Sequence, residues 1–293
     1  MASPGTPFTF VQFEYAHPLG PADGRYLRRP AAGEEPLWVI VLRTLGAPQR
    51  RLMGERRRRK PAPVESAEQP KSVPIVRATL IRPTPLDSAD AAVGWLARLR
   101  SDEGAREAEV AAALRELNAI VRAHRAAAAD PYAREVSLRG ANAVRIGYGS
   151  GDLVAEGRYA AAYELPPPSG PSKRTEALAP QERLAAILGG VDEVMPSEEL
   201  VLRARLDVDD GRMREAALQA RIALEALLAD LSGLDAPGTR LGELLAELRD
   251  ERAAVGDAAN AALEGEPSEA LAQGVKDTVT RMDQALRHAR RST

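Results

Sequence analysis

Apolar side chains recur at every second position near the start of the chain. Val11, Phe13 and Tyr15 are separated by Gln12 and Glu14. A period of two is the spacing of a β-strand, because successive side chains point to opposite faces of a sheet. The first predicted element is therefore a strand with one buried apolar face.

Three further strands are predicted in the same region. Leu37–Leu42 is apolar at every position, which predicts a strand that is covered on both faces. Shorter strands are predicted at Arg25–Arg28 and at Ile75–Ile81. All three phenylalanines also lie in this part of the chain, and aromatic side chains favour strands. Residues 1–85 are therefore predicted to form a small four-stranded β domain.

From Asp87 onward the apolar positions recur every three or four residues, which predicts helices. Ser88 is predicted to be the N-cap of a first helix, and a second helix is predicted over Ala105–Ala128. Asp130 followed by Pro131 is typical of a helix start, because proline lacks the N–H that a first turn does not need. Residues 86–165 are therefore predicted to be a helical region.

The last part of that region, residues 141–165, allows two interpretations. Its glycines favour a loop or a hairpin of strands. However, Ala143, Gly147, Gly151 and Ala155 recur every four residues, which would align small side chains along one face of a helix. We predict the helix, with the hairpin of strands as the alternative.

The carboxyl-terminal half is predicted to be a helical bundle. A proline-rich stretch at residues 166–178 predicts a linker, and residues 179–293 then carry repeated helical periods. Short connections between successive helices predict antiparallel neighbours. The predicted helices are Pro180–Leu188, Ser197–Val208, Arg212–Leu231, Thr239–Leu263 and Ser268 to about Arg290. The whole chain is therefore predicted to be α+β, with a small β-sheet followed by antiparallel helical hairpins.

One pair of these helices, within residues 197–228, resembles a tetratricopeptide helical hairpin. A turn glycine at Gly211 is followed by Met213 and by small residues at Ala216 and Ala223, which match the second helix of that repeat. The resemblance covers a single hairpin, and the sequence lacks the regular period of about 34 residues that an array needs. The resemblance implies a helical surface for protein partners.

Composition narrows the functions that remain. The 293 residues carry 40 basic and 42 acidic side chains and no cysteine. The absence of cysteine excludes disulfides, thiolate metal sites and thiol nucleophiles. All but four of the basic residues are arginine, which is typical of a GC-rich genome and predicts a bacterial source. No targeting signal or spanning segment is found in the sequence, so a cytoplasmic protein without a membrane partner is predicted.

The balanced charge hides a strongly basic insertion at residues 50–73, which is rich in proline after residue 60. Basic side chains in such a run are candidates for phosphate contacts. The run lacks the interleaved aromatic residues that stack on bases, so the insertion is predicted to be a solvated, disordered chain, with phosphate binding as the alternative. The candidate phosphate contacts are Arg50, Arg51, Arg56, Arg57, Arg58, Arg59 and Lys60.

Catalytic and cofactor motifs fail on their spacing. The three histidines form no metal-binding pair, and the glycines around Gly149 do not match a dinucleotide fingerprint. Glu198 and Glu199 fall in the first turn of a predicted helix, where carboxylates favour the positive end of the helix dipole. No catalytic residue, metal ligand or cofactor is predicted.

These observations favour a non-enzymatic protein that binds or assembles with other proteins. Phe8 and Phe10, on the polar face of the first strand, are the candidate interface residues. One alternative is binding of nucleic acid or an acidic surface through residues 50–60. A second alternative is an enzyme or a small-ligand protein with its site between the sheet and the helices.

Overall fold

The structure is a computed structural model that describes residues 5–46, 74–166, 174–234 and 238–292. The chain divides into two compact units, Met1–Ser169 and Gly170–Thr293. The first unit contains an antiparallel sheet with helices, and the second is helical. The predicted α+β class is therefore confirmed.

In the residues that the structure describes, the first unit is built on a six-stranded sheet rather than the predicted four-stranded one. Every neighbouring pair of strands is antiparallel, in the order β2-β3-β4-β1-β5-β6. The first strand of the chain thus lies inside the sheet, and β2 and β6 are its edges. The strands are β1 Pro7–Tyr15, β2 Gly24–Arg28, β3 Trp38–Leu45, β4 Ile75–Ile81, β5 Ala143–Ser150 and β6 Ala161–Glu164.

The helix predicted for residues 141–165 is wrong, and the alternative of paired strands is observed. Strands β5 and β6 flank α3, a helix of five residues at Gly151–Ala155. Gly147 lies opposite Phe10 of β1, and a Cβ atom there would lie 2.3 Å from the carbonyl oxygen of Ala161. The small side chains therefore make room for the neighbouring strand and for an aromatic ring, and not for a second helix.

The helix predicted to begin at Asp130 is also absent. The Asp130 carboxylate accepts a hydrogen bond from the backbone N–H of Tyr132 at 2.9 Å. This contact closes a local turn, which an aspartate before a proline favours as readily as a helix start. The chain then continues without regular structure to a single 3₁₀ turn at Leu138–Gly140.

Two long helices cover one face of the sheet. Helix α1 spans Ala89–Ser101 and is capped by Ser88, and α2 spans Glu103–Ala128 and is capped by Asp102. Their buried side chains meet the alternating apolar residues of the strands, which explains the period of two found in the sequence. This core contains Leu99, Val110, Leu117 and Val121 from the helices and Phe13, Tyr15, Ile40, Leu42, Leu80 and Ile146 from the sheet.

Replacing Gly147 by alanine is expected to lower the free energy of unfolding of the first unit by about 1 to 3 kcal/mol. The added methyl group would meet the backbone of β6, which cannot swing away as a side chain would. Gly94→Ala on α1 is the matched control, because no atom lies within 4 Å of its Cβ position and alanine favours a helix. Urea unfolding followed by tryptophan fluorescence should show opposite signs for the two changes, and equal shifts would contradict this packing.

The second unit contains six helices in its described residues. The single helix predicted over Thr239–Leu263 is two helices, which meet at Glu251. The Glu251 carboxylate accepts a hydrogen bond from Thr278 Oγ1 at 2.8 Å and pairs with Arg281, so the last helix holds the break. The helices are α4 Arg174–Leu188, α5 Pro196–Asp209, α6 Met213–Asp230, α7 Arg240–Asp250, α8 Arg252–Glu264 and α9 Glu269–Ser292.

The core of this unit is formed by α5 to α9. Alanines on α6 let α5 approach closely, and leucines and methionine from α6, α7 and α9 fill the centre. From Leu178 to Leu188, where the side chains of α4 are described, none belongs to this core. Among the helices of the described residues, none combines the length and the apolar character needed to cross a bilayer.

Candidate functional site

The basic residues predicted to contact phosphate lie outside the described residues. Arg50, Arg51, Arg56, Arg57, Arg58, Arg59 and Lys60 all fall between Gly46 and Pro74, where the description of the chain is interrupted. Nucleic-acid binding through this insertion therefore stays a prediction.

The two phenylalanines proposed as interface residues have different environments. Phe10 is only 1% exposed and packs against Val41, Ile81 and Val154 on the second face of the sheet. The expectation that Phe10 is exposed is therefore wrong, because α3 folds back over this part of the sheet. Phe8 is half-buried at the border of the same cluster and lines a cavity.

The second face of the sheet changes from apolar to polar along the strands. At one end lies the Phe10 cluster, and towards the other end the same face presents Gln12 and Glu14 of β1. Gln12 Nε2 donates to Thr79 Oγ1 at 3.0 Å, and Arg145 Nη1 donates to Gln12 Oε1 at 3.3 Å. These buried amide and hydroxyl groups therefore satisfy one another within the sheet.

Glu14 lies between two arginines on this polar half. Its Oε1 atom is 2.9 Å from a guanidinium nitrogen of Arg77 and 2.9 Å from one of Arg145. Burial by itself lowers the pKa of Arg145, but Glu14 and Glu164 outweigh burial and raise the pKa. Arg145 therefore stays charged. Because each charged group of this cluster has an opposite charge beside it, the cluster has the character of a structural ion-pair network.

A cavity of about 420 Å³ opens between the apolar end of this face and α3. Its floor includes Phe8, Val39 and Ile81. At its mouth, Arg25 of β2 reaches across to Asp152 of α3, with 3.0 Å between Nη2 and Oδ1. A pocket of this size with an apolar lining and a few polar groups has the character of a small-ligand site.

A second, smaller cavity of about 210 Å³ adjoins the first at Arg25. It is lined by Asp23, Gly24, Arg25, Val41 and Arg43. The Asp23 carboxylate is already occupied, because it accepts hydrogen bonds from the backbone N–H and the hydroxyl of Thr44 at 2.8 Å each. For the side chain of Arg43, the part of the chain that the structure describes supplies no hydrogen bond or ion pair.

The histidines do not mark a site. His17 is exposed, stacks on Tyr15 with 5.6 Å between ring centroids, and has Nδ1 3.3 Å from the carbonyl oxygen of Pro18. His124 packs against the Gly20 turn. Within residues 5–46, 74–166, 174–234 and 238–292, no group of three acidic or histidine side chains is placed to hold a metal ion.

In the second unit, exposed apolar side chains concentrate on one stretch of the chain. Seven large hydrophobic residues between positions 178 and 206 are each at least 39% exposed, and they include the last turns of α4 and the outer side of α5. We call this stretch the α4–α5 surface. Its members are Leu178, Leu184, Leu188, Val191, Val194, Leu202 and Leu206.

A buried carboxylate of α5 holds α4, which carries part of this surface, in place. Glu198 is 2% exposed, and its Oε2 atom accepts from Arg183 of α4 at 2.8 Å. Its Oε1 atom accepts from Arg290 of α9 at 2.8 Å. Burial alone would raise the pKa of Glu198, but the two guanidinium groups outweigh burial and lower the pKa below its ordinary value. Glu198 therefore stays ionised and joins three helices.

The sequence indicated only part of these arrangements. It placed Glu198 in the first turn of a helix but gave no sign that Arg183 and Arg290 meet it there. It also predicted strands at Arg25 and Val39, although their positions beside one cavity depend on the cross-strand register.

Comparison of the chain with family models, with curated proteins and with solved structures found no match.

Proposed function

We propose that this chain is a non-catalytic interaction protein that assembles with a second copy of itself through the α4–α5 surface. The observation that carries the proposal is the exposure of seven large apolar side chains on one short stretch, which includes a helix with none of its described side chains in the core. Scattered apolar residues are normal on a protein surface, whereas a group of them marks a contact site.

Helix α4 has few contacts of its own to hold it in place. From Leu178 to Leu188 none of its side chains is buried. Its anchor is Arg183, which pairs with Glu198 and with Asp192. Helix α4 is thus held by ion pairs, and its Leu184 and Leu188 are exposed. A partner that covers these leucines would stabilise the helix, because each buried leucine contributes about 1.5 to 3 kcal/mol.

The charges next to the exposed leucines suit a second copy of the same chain. Glu199 and Arg203 lie on the outer side of α5 next to Leu202 and Leu206, and both are more than half exposed. Within one chain their closest atoms are 3.8 Å apart, which is a weak contact. In a twofold contact the same patch meets itself, so Glu199 of each copy can face Arg203 of the other.

The oligomeric state of the full chain tests this proposal. We expect light scattering during size-exclusion chromatography to show a dimer that dissociates on dilution. Replacing both Leu202 and Leu206 by glutamate should weaken the dimer at least about tenfold, because it places charges at the centre of an apolar contact. Ile222→Glu on α6 is the control, since Ile222 is 57% exposed but lies on a different helix.

Three results would overturn the proposal. These are a wild-type chain that stays monomeric at all concentrations, a double variant that dimerises as well as the wild type, and an Ile222→Glu variant that dissociates to the same degree. Circular dichroism of each variant shows whether the helices are retained, so loss of the dimer can be separated from loss of the fold.

A further inference from the structure

The cavity in the first unit has an apolar floor and a charged mouth. Phe8, Val39, Ile81 and Ala155 line its interior, and Arg25 and Asp152 lie at its opening. Leu27 and Leu153 are 53% and 43% exposed, and they follow Arg25 and Asp152 closely in the chain. The apolar part of this lining could therefore contact the alkyl chain of a small molecule, beside the polar side chains of Ser150 and Asp152.

Arg25 forms the wall between the larger cavity and the smaller one, since it lines both. Its bond to Asp152 joins two exposed side chains, with 54% and 85% of their side-chain surface accessible. Exposed ion pairs of this kind contribute between about 0 and 1 kcal/mol. Another carboxylate can therefore replace Asp152 at Arg25 at little cost, because the released Asp152 stays in water.

A second arginine lies within reach of the same point. Arg25 pairs with Val41 across the strands, and Arg43 follows Val41 by two residues and so points to the same face. Diagonal neighbours of this kind lie about 7 to 8 Å apart at the backbone, a distance that two long side chains can close around one anion. Arg43 has no ion-pair partner among the described residues, and it adjoins Arg77 across the strands.

We infer that the two cavities bind one molecule of a medium-chain monocarboxylate. The alkyl chain lies on Phe8, Val39 and Ile81, and the carboxylate accepts hydrogen bonds from the guanidinium groups of Arg25 and Arg43. Hydrogen bonds between arginine and carboxylate are charge-assisted and directional, which gives this site its preference for an acid over an uncharged head group. The role is separate from self-assembly, because it uses residues of the first unit alone.

Isothermal titration calorimetry of the full chain with decanoate tests the inference, and decan-1-ol serves as the uncharged analogue. We expect decanoate to bind with one saturable site per chain, and the alcohol to bind at least about tenfold more weakly. Arg43→Gln should weaken decanoate about tenfold and leave the alcohol unchanged, since this variant removes one charged donor. Val39→Phe should weaken both compounds, because the larger side chain fills the floor.

The control variant is Arg115→Gln, which removes an exposed arginine of α2 that lines neither cavity. It should bind both compounds as the wild type does. Absence of saturable decanoate binding would overturn the inference, as would equal affinities for the acid and the alcohol. Unchanged binding in Val39→Phe, or an equal loss in Arg43→Gln and Arg115→Gln, would overturn it as well. Thermal melting of each variant verifies that the fold is retained.

Discussion

Replacing Phe10 by alanine is expected to lower the free energy of unfolding of the first unit by about 3 to 5 kcal/mol. The side chain is 1% exposed, and its ring centroid is 5.3 Å from that of Tyr159. Truncation would leave a cavity between the sheet and α3, whose five residues cannot collapse to fill it. The loss therefore includes both the transfer of the ring and the empty space.

Tryptophan fluorescence during urea unfolding provides the measurement, because Trp38 and Trp95 both belong to the first unit. Tyr132→Ala is the matched control, since Tyr132 is 82% exposed in the same unit. We expect the control to change the free energy of unfolding by less than about 0.5 kcal/mol. If the two variants were equally stable, Phe10 would be a surface residue, and the packing of α3 on the sheet would be wrong.

Replacing Glu198 by alanine is expected to destabilise the second unit by about 3 kcal/mol at neutral pH. The change removes the buried carboxylate that bonds both Arg183 and Arg290, and it leaves Asp192 as the carboxylate that still pairs with Arg183. Glu215→Gln is the control, because Glu215 is also a first-turn carboxylate of a helix in this unit but is exposed. Circular dichroism in urea should show a large shift for the first variant and almost none for the second.

The effect of Glu198 should depend on pH in a defined direction. Its pKa is lowered in the folded chain, so its stabilising contribution is complete above the unfolded value of about 4.3. The contribution is lost as pH falls through the lower, folded pKa. The difference between wild type and Glu198→Ala should therefore be constant near neutral pH and shrink in acid. A difference that grew on acidification would contradict the ion-pair assignment.

The sequence predicted best those elements in which apolar side chains recur at a regular spacing. The period of two in β1 was correct because one face of that strand packs on the helical layer. In β5, Val144 and Ile146 are also two residues apart and both are buried. However, the small residues from Ala143 to Ala155 recur every four residues, and this spacing predicted a helix. Small residues permit the close approach of either a strand or a helix. Tertiary contacts therefore determine which of the two elements forms.

The candidate sites were harder to predict because their parts are distant in the chain. Glu198 meets a partner 15 residues before it and another 92 residues after it. Arg25 meets Asp152 across 127 residues. Glu198 and Glu199 are equivalent as first-turn carboxylates, and only the positions of α4 and α9 make one of them a buried anchor. No spacing rule within a single element contains that information.

The central position of β1 has a consequence for how the first unit folds. Its two neighbours are β4 and β5, and the side-chain contacts of Gln12 span 67 residues to Thr79 and 133 to Arg145. Folding rates fall as contacts become less local, since the entropy of closing long loops is lost before the contacts form. The apolar side chains of β1 therefore stay exposed until distant segments of the chain pair with it. We expect the fluorescence of Trp38 and Trp95 to recover slowly after dilution from denaturant.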